Sequence, residues 1–506
     1  MKYDYVIVGA GIGGLFTGAL LSKTGKSVCI LEQHSAAGGY GHSFKKKGYV
    51  FCSELHYIWN CGHDEDCGYI FRYLGIENDI TFSPLNSECF DRFDLPTFSY
   101  RVKKGFDNNI DCLSKNFPHY LSSLKRYYRI INDLHDEMKA LPSSISFFSI
   151  LPKFYKFKNI IKYRNWTTQD LFNSFDFPIE LQSILAGQSG NLLVPPERAS
   201  LLVHAAMVTG LDRGACVPTK SYKHLFETLV DYINSHSNCN VIFETEIIKL
   251  KNDHKKIIHI CSKAGEKILG EKFIYNGDPQ LLKNLISNDC MDRSFNRKLS
   301  YEYSPSAFTI YLGLKDINLK DYGFGSWNIW HYSKSDINKV FENQLNDNNY
   351  DNPSLFISTP TLHRGTNTIA PHGCDQMVIC TICNYNYFKN LLNKSRDSYL
   401  EEKKRITGII LEKIKSQYIN DLYDHIDLSI SGTPLTMERF VFAPEGNSYG
   451  ADLTPANYNL GKVDYRTPIS NLFLIGATAG IPSFAGGIHF SGLLYEKLTG
   501  NKVLPR

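Results

Sequence analysis

Short apolar runs and glycines divide the chain into alternating predicted strands and helices. Residues 5–8 form an apolar run that predicts a buried strand, 15–25 are compatible with a helix, and 27–31 predict a second strand. This order and spacing predict a βαβ unit with parallel strands. Near the C-terminus, the apolar run 472–475 predicts another strand, which precedes a turn at Gly476.

Other segments carry weaker patterns. Residues 199–218 predict a helix that runs to a proline, and 240–250 predict a pair of strands. The stretch 336–353 is rich in Asn and Asp, and its polarity predicts a solvated loop.

A glycine motif follows the first predicted strand. Gly9, Gly11 and Gly14 stand in the spacing GxGxxG, with Gly13 inside it. In this motif the first glycine permits a tight turn, the second leaves room for a pyrophosphate, and the third lets helix and strand pack closely. Glu32 ends the second strand, where a carboxylate can accept hydrogen bonds from both ribose hydroxyls. The sequence therefore predicts a dinucleotide site that favours FAD or NAD over NADP.

Composition narrows the class of protein. The 506 residues include 43% hydrophobic and 21% charged side chains, which predicts a folded chain of two or three domains. A net charge of only +4 argues against a nucleic-acid partner. Thirteen scattered cysteines without signal features predict a reducing, cytoplasmic compartment. No apolar run reaches the roughly 18 residues of a membrane span.

We expect no metal site. The CxxC pair Cys380 and Cys383 lies inside the strand-like run VICTIC, where burial in a core is the simpler interpretation. The sequence leaves the oligomeric state open.

The segment that follows the second strand carries a family resemblance. LEQHSAAGGYGHSFKKKGYVFCSELHYI contains the pair Gly38 and Gly39, which a plain NAD-binding domain does not require. Its EQH, AGG, HSF and HYI pieces resemble the flavoprotein family of phytoene desaturases, carotenoid isomerase and retinol saturase, and most of all the retinol saturase branch. The resemblance returns in five segments spread over nearly the whole chain, at 199–218, 240–250, 273–279, 431–450 and 471–492.

The resemblance implies an α/β fold with a Rossmann-like FAD-binding domain of the GR2 flavoprotein type and an inserted α+β substrate domain. The FAD-binding domain is expected from 1–80, 215–300 and 430–506, and the substrate domain from 81–214 and 301–429. FAD contacts are expected from the residues of the matching motifs, namely Gly9, Gly11, Gly13, Gly14, Glu32, Gln33, Gly38, Gly39, Ile247, Asn276, Gly476, Gly487 and Ile488.

The function that the resemblance implies is an FAD-dependent oxidoreductase that saturates, desaturates or isomerises C=C bonds. Its substrate would be an extended lipophilic molecule such as a carotenoid, a retinoid or another polyene. Because the flavin exchanges hydride with a carbon skeleton, we expect no protein acid or base of special pKa. Polar candidates beside the flavin are His56, Tyr57, His204, Tyr449 and His489.

Two alternatives stay open. One is an amine or tailoring oxidase that uses the same fold on another metabolite. The other is a non-catalytic lipid-binding escort such as the Rab GDP-dissociation inhibitors, against which Glu32 and the glycine pair argue. Cys52 and Glu54 stand where relatives commonly have FDxG, so the pocket beside His56 is expected to differ chemically.

Residues 144–166 suggest peripheral contact with a membrane surface. The segment has no acidic residue, and its lysines and arginine alternate with apolar side chains that include Phe154, Phe157 and Ile161. Basic groups between aromatic anchors suit an anionic bilayer surface. The alternative is a solvated face of a helix in the substrate domain.

Overall fold

The computed structural model describes residues 2–141, 155–287, 290–364, 368–458, 463–480 and 482–505. Within these residues, the strands form two seven-stranded sheets and two short pairs. In chain order the strands are β1 (Lys2–Val8), β2 (Val28–Leu31), β3 (Ser43–Lys46), β4 (Tyr49–Cys52), β5 (Phe82–Pro84), β6 (Asp91–Asp94), β7 (Ser99–Val102), β8 (Cys216–Pro218), β9 (Asn240–Ile242), β10 (Ile247–Asp253), β11 (Lys256–Ser262), β12 (Lys267–Tyr275), β13 (Ser306–Lys315), β14 (Asn328–His331), β15 (Leu355–Ser358), β16 (Cys374–Cys383), β17 (Ile426–Gly432) and β18 (Leu472–Leu474).

The first large sheet, here called the nucleotide sheet, has the order β10-β11-β12-β1-β2-β9, with β18 also paired to β12. β1 lies at its centre and pairs in parallel with both β12 and β2. Its strands come from three separate parts of the chain. Parallel strands joined through helices confirm the predicted Rossmann-like α/β fold.

Helices cover both sheets. The first helix, Ile12–Ser22, is buried along almost its whole length between the nucleotide sheet and the last helix. The α-helices are Ile12–Ser22, Asp66–Leu74, Phe106–Asn116, Leu121–Lys139, Lys158–Tyr163, Thr168–Asn173, Ile179–Leu185, Leu201–Gly214, Tyr222–Asn234, Leu282–Leu285, Arg293–Lys298, Ile337–Leu345, Tyr385–Lys394, Arg396–Gln417, Leu422–His425, Pro434–Phe440 and Phe484–Thr499.

Close packing explains why a nearly uniformly apolar first helix is stable. Phe16 is fully buried, and its ring lies 5.9 Å from that of Phe71 and 6.0 Å from that of Phe484. Burying one such ring stabilises the fold by about 1.5 to 3 kcal/mol. A Cβ on Gly18 would lie 2.5 Å from the Ile30 side chain, so a glycine there lets the helix approach β2.

The second large sheet, here called the cavity sheet, has the order β17-β13-β16-β15-β14-β6-β7. Its pairs are antiparallel except for the parallel pair of β14 and β6. One face, which includes Phe308 and Ile310, packs with Ile406 and Ile410 of the helix Arg396–Gln417. Because side chains alternate along a strand, the other face is left to line a cavity.

The prediction of a solvated loop over 336–353 is wrong for its first half but agrees with residues 346–352, which form an irregular and mostly exposed segment. Residues Ile337–Leu345 form a helix that Asp336 caps by accepting a hydrogen bond from the Lys339 amide at 3.3 Å. Its apolar residues recur at helical spacing and are buried, with Val340 and Phe341 facing the cavity. Composition hid this pattern because Asn and Asp dominate the flanking residues.

Candidate functional site

The turn between β1 and the first helix brings bare backbone against Asn276. Gly9 has a φ of +102°, which favours glycine, and its carbonyl accepts a hydrogen bond from Asn276 Nδ2 at 3.2 Å. A Cβ on Gly11 would lie 2.9 Å from Asn276 Nδ2, and one on Gly13 would lie 2.9 Å from Asn276 Oδ1. A Cβ on Gly14 would lie 2.1 Å from the Gly9 oxygen. The glycine at position 14 therefore lets the first helix lie close to the end of β1, whereas Gly9, Gly11 and Gly13 line a cleft.

The glycine pair forms the opposite side of this cleft. Gly38 and Gly39 have φ values of +117° and +57°, and the Gly38 amide donates to the Ala10 carbonyl at 2.8 Å. A Cβ on Gly39 would lie 3.2 Å from Gly11 Cα. The two glycine segments thus touch through backbone alone, which leaves room for a phosphate group between amides and the start of a helix.

Glu32 lies at the end of the cleft and is 9% exposed. Its Oε2 accepts from the Ala10 amide at 2.7 Å, and its Oε1 accepts from the His34 amide at 2.8 Å. Burial raises the pKa of this carboxyl, and the two amides counteract the rise. Each oxygen retains a second lone pair for a ribose hydroxyl. Gln33 and Ile247 line the cleft beside it, as predicted for cofactor contacts.

The C-terminal segment closes the cleft. Gly476, with a φ of +121°, follows β18, and Ser483 caps the last helix by accepting from the Gly486 amide at 2.8 Å. A Cβ on Gly487 would lie 2.8 Å from the Ile12 side chain, so this glycine lets the last helix pack against the first. Ile488 was predicted to contact cofactor, but its side chain is fully buried in the core below the sheet and does not line the cleft.

The cleft opens into a cavity that continues along the cavity sheet. One continuous space of about 550 Å³ extends from the glycine turn to Trp330 and Phe356. This volume lies within the range of small-molecule sites, roughly 300 to 1,000 Å³. The Phe356 ring is the centre of one wall, 5.1 Å from His56, 4.6 Å from Trp330 and 6.1 Å from Tyr57. A wall of aromatic rings next to a dinucleotide cleft suits an extended lipophilic ligand.

Glu54 is one of four described acidic residues that line the cleft and cavity, with Glu32, Glu246 and Asp278. In the sequence, Glu54 stood out only because it replaces a residue that relatives commonly have. Burial raises its pKa to about 7, and the nearby Ser448 hydroxyl counteracts that rise. Burial raises the pKa values of Tyr449 and Tyr311, and the charge of Glu54 adds to the rise in both, which places these side chains near it. Near neutral pH the carboxyl therefore exists in both protonation states, and it can give or take a proton. An acid of perturbed pKa was not expected from the sequence.

Three of the five polar candidates, His56, Tyr57 and Tyr449, line the cavity. Burial lowers the pKa of His56 to about 4, so its imidazole is neutral, and its Nε2 lies 3.4 Å from the Cys380 thiol. Burial raises the pKa of Cys380 to about 12, so this sulfur stays protonated. Cys380 faces the cavity, while Cys383 is fully buried in the core on the other side of β16.

The other two candidates lie outside the cavity. His204 belongs to the helix Leu201–Gly214, but it faces the core, where its Nε2 lies 2.9 Å from the Tyr127 hydroxyl. Burial lowers the pKa of His204 to about 4. His489 Nδ1 lies 3.0 Å from Asp66 Oδ2, and its side chain borders a separate, smaller cavity. The segments were located correctly, but these side chains point away from the cleft.

The basic and aromatic segment is described only from residue 155 onward, so Phe154 lies outside the described residues. Phe157 is 4% exposed and packs in the core, so its expected role as a surface anchor is wrong, while Tyr155 is 62% exposed. Within the described part of the chain, no helix is both long and apolar enough to cross a bilayer. Peripheral membrane association stays a prediction.

Comparisons with known proteins agree with this architecture. Residues 7–74 match the family described as NAD(P)-binding Rossmann-like domain. Putrescine oxidase with bound putrescine superposes with a TM-score of 0.65 at 13% identity, over 99% of this chain and 100% of that one. Rab GDI from Plasmodium falciparum gives a TM-score of 0.51 at 12% identity, over 99% of both chains. Fold and cleft together are those of a dinucleotide-binding protein with a Rossmann-like domain.

Sequence comparisons that cover nearly the full chain give more specific relatives than the fold comparisons do. All-trans-retinol 13,14-reductase of Danio rerio is 25% identical over 519 residues, covering 96% of this chain and 84% of that protein. Chloroplastic prolycopene isomerase 1 of an Oncidium hybrid cultivar is 22% identical over 507 residues, covering 97% and 83%. These homologues confirm the resemblance to the retinol saturase and carotenoid isomerase-like family.

The raised pKa of Glu54 predicts a pH-dependent penalty on folding. The folded protein holds the proton of Glu54 more tightly than the unfolded chain does, and this stabilises the fold. The stabilisation is fully present below the unfolded pKa of 4.5 and is lost as the pH rises through about 7. Between about pH 5 and pH 8, Glu54→Gln should therefore gain roughly 2 to 3 kcal/mol of unfolding free energy relative to wild type. Denaturant midpoints of wild type and Glu54→Gln, measured at pH 5 and at pH 8, check the predicted gain.

The matched control is Glu402→Gln. A hydrogen bond from Arg405 lowers the pKa of Glu402, so this variant should lose similar stability at both pH values. Parallel pH profiles for wild type and Glu54→Gln would contradict the raised pKa.

Proposed function

We propose that this protein binds FAD and is an oxidoreductase acting on C=C bonds of an extended lipophilic molecule such as a retinoid, carotenoid or other polyene. The observation that carries the proposal is the single cavity that joins a glycine-lined dinucleotide cleft to a long aromatic wall. Homology to a retinol reductase and a prolycopene isomerase supports the same substrate class. Saturation, desaturation and isomerisation are all compatible with this cavity.

The residues present fit FAD. Gly9, Gly11 and Gly13 with the pair Gly38 and Gly39 would hold the pyrophosphate, since added Cβ atoms would fill that space or strain the backbone. Glu32 would hold the adenine ribose through its free lone pairs. When bound, FAD supplies hydride exchange with carbon.

Residues of the cavity wall would then control water and protons. Saturating a C=C bond places a proton on one carbon, and desaturation removes one. Glu54 is positioned to hold that proton on its carboxyl oxygen, because its pKa lies close to neutral pH. His56 is neutral at that pH, and its ring, next to Phe356, would help to exclude water from the polyene.

The function is tested with purified protein and a polyene. The preparation should be yellow, and its flavin, reduced in the absence of oxygen, should be reoxidised by a retinoid or carotenoid with loss or shift of the polyene absorbance. For isomerisation, chromatography should show a new isomer without net flavin turnover. A colourless preparation that binds polyenes would favour the escort, and flavin reduction by amines alone would favour the amine oxidase.

A cofactor variant tests the cleft. Glu32→Ala should lose about 1 to 3 kcal/mol of FAD affinity, because a buried carboxylate that accepts from ribose hydroxyls is removed. Glu32→Gln keeps an acceptor oxygen and should lose less. The amount of flavin that each variant retains per chain after dialysis measures its loss of affinity. Full retention by the Ala variant would refute the assignment of Glu32 to the adenine ribose.

A kinetic comparison tests Glu54. Glu54→Gln should lower kcat by about 10² to 10⁴-fold with FAD still bound, the usual contribution of a positioned acid or base. Glu402→Gln makes the same chemical change outside the cavity and should keep kcat near wild type. His204 and His489 lie outside the cavity, so their replacement should affect stability more than kcat. An unchanged kcat in Glu54→Gln would mean that the proton comes from water.

A further inference from the structure

A second cavity lies beside the space that joins the glycine cleft to the aromatic wall, here called the main cavity. The second cavity has a volume of about 160 Å³, whereas small-molecule sites begin at roughly 300 Å³. A single water molecule needs only about 10 to 15 Å³ of such volume. The second cavity is therefore too small for a separate ligand of ordinary size, but it is large enough to receive one end of a ligand bound in the main cavity.

The inner part of the second cavity is apolar. Ile160, Leu202 and Leu493 line it, and all three are buried. Lys139 and Arg213 also line it, and both are exposed. The charged side chains therefore mark the side of the second cavity that faces solvent, and its interior suits a hydrocarbon chain.

A partition separates the two cavities. Among the described residues, those that line both are Trp59, Val203, Ala206 and Ser483. Val203 and Ala206 belong to the helix Leu201–Gly214, and Ser483 caps the last helix. Trp59 has by far the largest side chain of the four. The extent of the partition therefore depends chiefly on the Trp59 indole.

The backbone on either side of Trp59 is held in place. Ile58 exchanges two backbone hydrogen bonds with the first residue of β8, at 2.8 and 2.9 Å. Asn60 has a φ of +66° and donates from Nδ2 to Asp66 Oδ2 at 2.8 Å. The same carboxylate oxygen lies 3.0 Å from His489 Nδ1. The pair of Asp66 and His489 thus supports the turn that presents Trp59 to both cavities.

The Trp59 ring lies against bare backbone of the helix Leu201–Gly214. A Cβ on Gly210 would clash with the indole, so the glycine lets the ring approach the helix closely. The ring also packs against the apolar core that contains Val203. The indole therefore fills the gap between the turn at residues 58–60 and the helix.

We propose that Trp59 limits the length of the lipophilic substrate by closing the main cavity where the second cavity begins. This inference rests on the proposed function and adds a specificity-determining residue to it. The glycine cleft would hold the cofactor, and the cavity sheet backs the aromatic wall, so a ligand gains length at the partition. A smaller side chain at position 59 would join the two cavities.

The test measures how well prenyl alcohols, from geraniol to solanesol, displace retinol from the flavin-loaded protein, followed by retinol fluorescence. Each alcohol of the series is longer than the one before by an isoprene unit, and all carry the same end group. Affinity for wild type should rise with length, because each unit buries more apolar surface, up to a limiting length. The next member should bind at least about tenfold more weakly, as expected when a pocket lacks room for added carbon atoms.

Trp59→Ala should increase the limiting length by at least one member of the series while flavin content stays near that of wild type. Trp166→Ala is the matched control, because Trp166 is also partly buried against the same core but is not among the residues that line either cavity. Adding Ala206→Phe to Trp59→Ala should refill the gap and bring the limiting length back toward wild type. Trp59→Leu keeps more packing and replaces the alanine variant if that one fails to fold.

The wild-type series needs no variant and is decisive by itself in one direction. An affinity that keeps rising as far as solanesol would overturn the length limit. An unchanged limiting length in a folded Trp59 variant would overturn it as well, as would an equal increase in Trp166→Ala. If neither retinol nor any prenyl alcohol binds the flavin-loaded protein, the proposed function fails and the length limit with it, whereas binding without a limiting length overturns this inference alone.

Discussion

The contact between Asn276 and the glycine turn after β1 holds the cleft together. The Asn276 amide donates to the Val8 carbonyl at 2.8 Å, and its side chain donates to Gly9 at 3.2 Å. A Cβ on Gly476 would lie 3.3 Å from Asn276 Oδ1, so β1, β12 and the turn after β18 all meet at this one side chain. Three distant parts of the chain therefore reach the same point, and side chains larger than hydrogen would separate them.

The second constraint is the low polarity of the cavity. Burial raises the pKa values of both Glu54 and Asp91 to about 7, although the two carboxyls lie at different places along the wall. Their surroundings differ, because Asp91 accepts three hydrogen bonds, whereas Glu54 Oε1 makes none with the described residues. The same apolar wall that accommodates a lipophilic ligand thus leaves one acid able to exchange a proton and the other fixed in a network.

The parts of the site that the sequence predicted are those set by local backbone rules. Gly9, Gly11 and Glu32 were predicted because a turn, a close approach and the end of a strand require particular residues at fixed spacing, whereas Gly38 was predicted through the family resemblance. The orientation of a helix was harder to predict. His204 lies in a helix whose Val203 lines the cavity, and Ile488 follows Gly487, which lines the cleft, yet both side chains point into a core. Which face of a helix turns inward depends on neighbours that are distant in the sequence.

The hydrogen bonds of Asp91 depend entirely on such distant pairings. Asp91 and Trp330 meet because β6 and β14 are parallel neighbours, and Tyr57 joins them from a loop of the other part of the molecule. Since putrescine oxidase and Rab GDI share the fold, the fold alone does not select a substrate. Selection must come from the cavity wall, which combines aromatic rings and neutral hydrogen-bonding side chains with the carboxyl of Glu54. A wall of this kind favours a long, mostly apolar ligand, because its aromatic side chains provide apolar contact along the length of such a molecule.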